Sequence, residues 1–338
     1  MKFALFLLNQ WLPQEDMAAK IQEGVEQVKA AREAGFDMVC TGQHYLSYPY
    51  QMPTTLPYLA HLAPAAEGMY IGATVLLLPL LPPVEVAESV ATLDAMSGGR
   101  FILGVGQGYR AEENIAFGTG PTLKERAARM MESLEVMKLL WTQEEVEFHG
   151  DYYHIPRVKI ATRTTQKPYP PIWVAANSDR AVRRAARAGY PWLINPHTTI
   201  GTLEGQVGMY RAAAAQGEHA VGGLPILREM YVHQGSAAAF EHARPYLEPK
   251  YQAYAAWGQD EVPGQESFRV PFETLAKDRF LLGDPGRIVE EVYGYQERLG
   301  VDRMVFRIQW PGMPHKDVMR QLELFGKRVA PAFPRFSG

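Results

Sequence analysis

Short apolar runs alternate along the chain with longer stretches in which apolar positions recur every three or four residues. The runs predict strands at Phe3–Leu8, Asp37–Thr41, Tyr70–Leu78, Phe101–Val105, Pro171–Ala176, Trp192–Asn195, Leu227–His233 and Arg303–Ile308. The periodic stretches predict helices at Met17–Ala34, Val84–Met96, Leu123–Leu140, Asp179–Ala188, Leu203–Ala215, Ala237–Trp257, Pro285–Leu299 and Lys316–Val329. Ile21, Val25 and Val28 form one such stripe, which Gly35 ends. The run IGATVLLLP, Ile71 to Pro79, is apolar throughout, which suits a parallel strand buried on both faces. Eight strand–helix alternations with no composition break or charged linker predict one α/β domain over residues 1–338, a (β/α)8 TIM barrel with insertion loops. The polar, aperiodic stretch Gly258–Leu282 is long enough to serve as a lid.

Composition narrows the class of partner. Thirty-four basic residues stand against 37 acidic ones, a net charge of −3, so no face is forced to be basic and nucleic acid is not an expected partner. The single cysteine, Cys40, allows neither an internal disulfide nor a cysteine-rich zinc site, and a reducing cytoplasm fits. The opening MKFALFLLNQWLPQED holds an apolar run only a strand long with no small-residue cleavage site behind it, so it is read as a first buried strand. No segment reaches the roughly 18–20 apolar residues of a membrane span.

A barrel of this kind carries its site on the loops that follow the strands. His44 stands after the second strand between Gln43 and Tyr45. An imidazole there is either a packed structural group or a proton donor and acceptor at the mouth. Gly106-Gln-Gly108-Tyr-Arg-Ala111 fits a dinucleotide fingerprint, but the acids further on, Glu132 and Glu135, fall in a predicted helix, and the stretch ENIAFGTGP reads as irregular. The glycines either keep the loop close to the mouth or let backbone approach a flat ring. Asn177-Ser178-Asp179-Arg180 stands where a buried strand meets a helix, which makes it an ordinary N-cap or an anion site. Aromatic residues on the loops, among them Trp11, Tyr45, Tyr109 and Tyr153, either wall a pocket or pad loops. The nine histidines are scattered, with His149 and His154 in a predicted extended loop, and no metal site is expected. Glu112 and Glu113 are adjacent in sequence, and in an extended stretch they would point different ways, so paired-carboxylate chemistry is a poor fit.

Taken together these residues resemble the luciferase-like flavin monooxygenases, a family that includes bacterial luciferase and F420-dependent oxidoreductases. The most specific block is ATLDAMSGGRFILGVGQGYRAEE, Ala91 to Glu113. Supporting blocks are Ile71–Pro79, ERAARMMESLEVMKLLWT at Glu125–Thr142, FHGDYYHI at Phe148–Ile155, PPIWVAANSD at Pro170–Asp179 and LLGDPGRIVEEV at Leu281–Val292. The resemblance implies that His44 is catalytic. It implies a non-prolyl cis peptide behind the flavin at Ala73-Thr74, a flavin-lining loop at Gln107 and Gly108, and a phosphate turn at Asn177 and Ser178 helped by Arg180. Where bacterial luciferase has Glu-His-His, this chain has Gln43-His44-Tyr45, which puts an aldehyde reaction in doubt. The implied activity is a monooxygenase using reduced FMN and O2. Its alternatives are F420-dependent hydride transfer and a non-catalytic flavin-binding protein. The expected partners are an apolar organic substrate, a separate NAD(P)H flavin reductase and a second copy of the chain in a homodimer.

Overall fold

The computed structural model describes residues 1–120, 122–217, 222–262 and 266–334. Eight parallel strands line a ring: β1 (Lys2–Phe6), β2 (Met38–Thr41), β3 (Tyr70–Leu77), β4 (Phe101–Gly106), β5 (Ile172–Ala175), β6 (Trp192–Leu193), β7 (Pro225–Val232) and β8 (Arg303–Arg307). They are hydrogen-bonded in the order β7-β8-β1-β2-β3-β4-β5-β6. The last gap closes through Ile194, whose N–H donates to Pro225 O at 2.9 Å and whose carbonyl accepts from Leu227 N at 3.0 Å. The fold is a (β/α)8 barrel, with the helices outside the ring.

The strands are apolar on both faces because each face has a core of its own. Phe3 and Leu5 of β1 point outward into the large core beneath the helices, while Ala4 and Phe6 point inward to Met38, Cys40, Ile102, Trp173, Leu193, Leu227 and Val305. Cys40 therefore sits inside the barrel, where burial pushes its thiol up to about 12. Two aspartates set helix starts. Asp16 caps Met17–Glu33 by accepting from Ala18 N at 2.9 Å, and Asp284 caps Pro285–Leu299 by accepting from Arg287 N at 3.1 Å.

Several stretches read as loops are ordered elements. Residues around His149 and His154 form an antiparallel hairpin, Glu145–His149 with His154–Lys159, whose inward Val146 and Ile155 are buried while its other face is wet. Helices Thr55–Leu62 and Ala111–Ala116 are too short for periodicity to reveal them. The segment 258–282, expected to be irregular, holds a 3-10 turn at Gln259–Glu261, a helix at Phe272–Ala276 and a strand at Leu281–Gly283 paired with β7. Phe268, Phe272, Leu275 and Phe280 anchor it in the core. Its residues 263–265 lie outside the described residues. Among the described residues no helix is long and apolar enough to cross a membrane.

Candidate active site

A cavity of about 750 Å³ opens at the C-terminal ends of the strands, within the size range of cofactor and small-molecule sites. His44 enters it from the loop after β2. That loop is fixed from both sides. Gln43 accepts from Leu77 N at 2.9 Å and donates to the Tyr45 hydroxyl at 2.9 Å. Arg110 donates to the carbonyls of Tyr45 and Leu46 at 2.8 and 3.1 Å, with its guanidinium 4.4 Å from the centre of the Trp257 ring. His44 Nδ1 lies 3.1 Å from Glu113 Oε1, which also accepts from Tyr45 N at 2.7 Å. A carboxylate can only accept, so the bond places the imidazole proton on Nδ1 and leaves Nε2 for the cavity. Tyr109 and Trp257 flank the ring, with centroids 5.5 and 5.6 Å away. Burial holds the Tyr109 phenol well above its ordinary value, so it stays protonated.

Beside His44, β3 and β4 lose register between Ala73 and Leu76. Among the described residues the non-prolyl cis peptide is Thr74-Val75, one bond beyond the expected Ala73-Thr74. Ala73 is a fully buried core residue, whereas Thr74 and Val75 face the cavity. The bulge leans on β4 at Gly104, where an added Cβ would stand 2.5 Å from Ala73 O. Only glycine permits that approach. Past β4 the chain turns at Gly108, φ +72°, which a side chain would strain.

At the far side, β5 runs into the helix Asp179–Arg187, capped by Ser178, whose hydroxyl accepts from Ala181 N at 3.4 Å. The cap reading and the cavity are compatible, since Asn177, Ser178, Arg180 and Arg184 all line the space, as does Lys124. Burial and the neighbouring Arg180 lower Arg184, and no ion pair to either arginine occurs among the described residues. Two cations without counter-charge at a helix N-terminus could hold a phosphate.

The floor of the cavity is charged as well. Arg307, at the end of β8, donates to Glu229 Oε1 at 3.1 Å and stacks its guanidinium 4.3 Å over Phe6. Glu229 Oε1 also takes Lys250 at 2.5 Å, and Oε2 takes the indole of Trp310 at 2.6 Å. His197 faces the same space. Its burial, then Lys250, Arg307, Arg279 and Arg228, hold its imidazole well below the ordinary value and hence neutral.

The cavity thus brings together His44, Thr74, Gln107, Gly108, Tyr109, Asn177, Ser178 and Arg180. It does not include three expected wall residues. Trp11 is packed edge-on against Tyr58 at 6.0 Å, Tyr45 turns to Phe117 at 4.6 Å, and Tyr153 packs on the outer core near Glu132, which accepts its N–H at 2.7 Å. Sequence reasoning sets Glu113 aside as half of a poor carboxylate pair and does not single out Arg184, Lys124 or Arg307. For Glu113 a signal existed. It lies three residues into a short helix that follows the glycine turn, so it faces back towards the loop after β2, whereas an extended reading hides that direction. Among the described residues no group of three His, Cys, Asp or Glu side chains is placed to hold a metal.

A sequence profile described as luciferase-like monooxygenase matches residues 1–303. The chain is 28% identical over 323 residues to an F420-dependent glucose-6-phosphate dehydrogenase of Segniliparus rotundus, covering 92% of this chain and 93% of that protein. It is 24% identical over 349 residues to the oxygenase component of a flavin-dependent trigonelline monooxygenase of Acinetobacter baylyi, covering 98% and 96%. The crystal structure of monooxygenase RslO1 from Streptomyces bottropensis superposes with a TM-score of 0.88 at 23% identity, over 99% of this chain and all of that one, which shows a shared fold.

Proposed function

The chain belongs to the luciferase-like monooxygenase family and is an oxidoreductase, and from that premise we propose that it binds reduced FMN in the barrel mouth and oxygenates an organic molecule with O2. The observation that carries this reading is one cavity with the His44–Glu113 pair on one side and unpaired Arg180 and Arg184 over a capped helix start on the other. The residues present fit the cofactor. The backbone donors after Ser178, with Arg180, Arg184 and Lys124, suit the phosphate. The turn Gly106–Gly108 and the bulge at Thr74 and Val75 suit a flat ring, since backbone can approach it there. When bound, reduced FMN supplies the two electrons with which O2 is activated.

With its proton on Nδ1, His44 would use Nε2 as an acceptor that takes a proton from the reacting group and later returns it, while Glu113 fixes the tautomer and orientation and balances the imidazolium formed in between. Tyr109, Trp257 and the edge of the 258–282 segment, through Gln259 and Val262, keep water off that end. We assign this segment as the cover of the site. The reduced flavin comes from a separate reductase, a reading supported by a relative named as an oxygenase component.

A second reading, hydride transfer with F420, is favoured by the F420-dependent dehydrogenases at 27–28% identity. Titrating the purified chain with FMN, photoreduced FMN and F420 separates the two. We expect reduced FMN to bind at least tenfold more tightly than F420. Preferential F420 binding with no oxygen uptake from bound reduced FMN would replace the monooxygenase reading.

A further inference from the structure

Two buried cations share one carboxylate at the floor of the cavity. Glu229 is fully buried, and Lys250, Arg307 and Tyr251 converge on its Oε1 while Trp310 takes Oε2. Among the described residues no other carboxylate pairs with Lys250 or Arg307. Both partners shift downward, as a local excess of positive charge requires. Burial pushes the Glu229 carboxyl up, but Lys250 and Arg307 outweigh it and the group ends below its ordinary value. Burial and then Arg307 drive the Lys250 ammonium down to about 7 against the pull of Glu229. Buried ions of this kind are costly unless balanced, and the protein supplies half the negative charge that the two cations need.

The cation on the cavity side is Arg307, and neutral donors line the same cavity. Asn195 uses its side-chain oxygen to cap the turn at His197 and Thr198, at 2.8 and 3.1 Å. Its Nδ2 is buried and has no partner among the described residues, and the residue lines the cavity. Gln10 accepts from the Tyr254 hydroxyl at 3.1 Å, which leaves its amide nitrogen as a donor on the same floor. A guanidinium, an orphaned amide donor and a surplus positive charge behind them are what a carboxylate or an ionised phenol or enol oxygen requires.

We propose that this floor is a substrate subsite for an anionic oxygen, bound by Arg307 with Asn195 and charged from behind by Lys250, so that the molecule oxidised here carries one acidic group on an otherwise apolar body. The inference rests on reading the cavity as the active site. The negative end of a reduced flavin ring offers the same chemistry, and the test separates the two sources.

Acetate, butyrate and benzoate, each beside its amide, are titrated calorimetrically into the purified chain with and without FMN. At least one carboxylate should bind tenfold or more tightly than its amide. Arg307→Gln, which leaves the Glu229–Lys250 pair in place, should bring that ratio close to one. Lys250→Met should lower it without altering the cavity wall, and it serves as the second arm if the first variant fails to fold. A ratio near one for every pair in the unaltered chain would overturn the proposal. So would variants that keep the carboxylate preference, or variants that lose affinity for photoreduced FMN while keeping it. A preference that survives when FMN fails to bind would leave the subsite standing and remove only the cofactor reading.

Discussion

His44 shows how a single side chain is given a role by its neighbours. A neutral imidazole has two tautomers, and only the Glu113 contact at 3.1 Å selects one. His44→Ala is expected to keep FMN binding within about tenfold, about 1.4 kcal/mol. Product formation should fall on the order of 100-fold, the scale for losing a general acid or base. Hydrogen peroxide released per reduced flavin, measured with an oxygen electrode and peroxidase, should rise. Normal product yield would remove His44 from the mechanism. Glu113→Gln keeps the shape and lets the wrong tautomer compete. Its kcat should fall roughly 10- to 100-fold while KM changes far less, because Glu113 acts through His44 and touches no substrate. Equal losses in both, tracking lower stability, would mean that the pair only packs. At the other end of the cavity the Ser178 hydroxyl is a cap bond of 3.4 Å, long enough to be given up. Ser178→Ala should weaken FMN binding by roughly 1–3 kcal/mol. Unchanged FMN affinity with a lower melting temperature would leave Ser178 as a helix cap alone.

At the scale of elements, the site depends on strands that approach more closely than side chains allow. Gly104→Ala would drive a methyl group to 2.5 Å from Ala73 O, which is backbone and cannot rotate away. The overpacking should cost about 1–3 kcal/mol in urea denaturation and shift the bulge that presents Thr74 and Val75. The 258–282 segment is held by Glu266. Its carboxylate meets Arg279 at 2.6 Å and the hydroxyls of Thr199 and Thr202 at 2.8 and 2.9 Å. Burial pushes Glu266 up, but the two threonines and Arg279 together bring it below its ordinary 4.5. A depressed carboxylate contributes stability that is complete above the unfolded value and is lost as pH falls through the folded one. The chain should therefore lose part of its stability below about pH 4.5 through this group. Glu266→Gln should flatten that loss when denaturation midpoints are compared between pH 6 and pH 3.5, and an unchanged pH slope would take Glu266 out of the anchor.

At the scale of the whole molecule, one continuous barrel carries the cavity at the C-terminal ends of its strands. The Gly106–Ala111 turn that fits a dinucleotide fingerprint leads into a six-residue helix whose Glu113 turns to His44. On the proposed function, the purified chain with FMN and NADH should consume no oxygen until a flavin reductase or photoreduced FMN is added. Steady NADH oxidation by the chain alone, followed at 340 nm, would mean that it reduces its own flavin.

Strands such as β1 and β3 were legible in the sequence because a strand buried on both faces reads as a nearly unbroken apolar run, and Phe3, Leu5, Ala4 and Phe6 fill two cores from one such run. The positions of His44, Gln107 and Ser178 at the mouth were legible for the same reason, since strand ends in a parallel barrel point one way. The short helix at Ala111–Ala116 and the anchored 258–282 segment were hidden, because too few residues repeat for a period to show and their order comes from partners elsewhere in the chain. Sequence by itself thus determined the architecture and the rim on which chemistry had to sit. Only the tertiary structure decided which charges meet there. Glu113 reaches His44 across 69 positions, Glu229 gathers Arg307 across 78, and Trp11 and Tyr153 turn away into the core. Contacts between side chains so far apart in sequence follow from the closure of the ring and leave no local pattern along the chain.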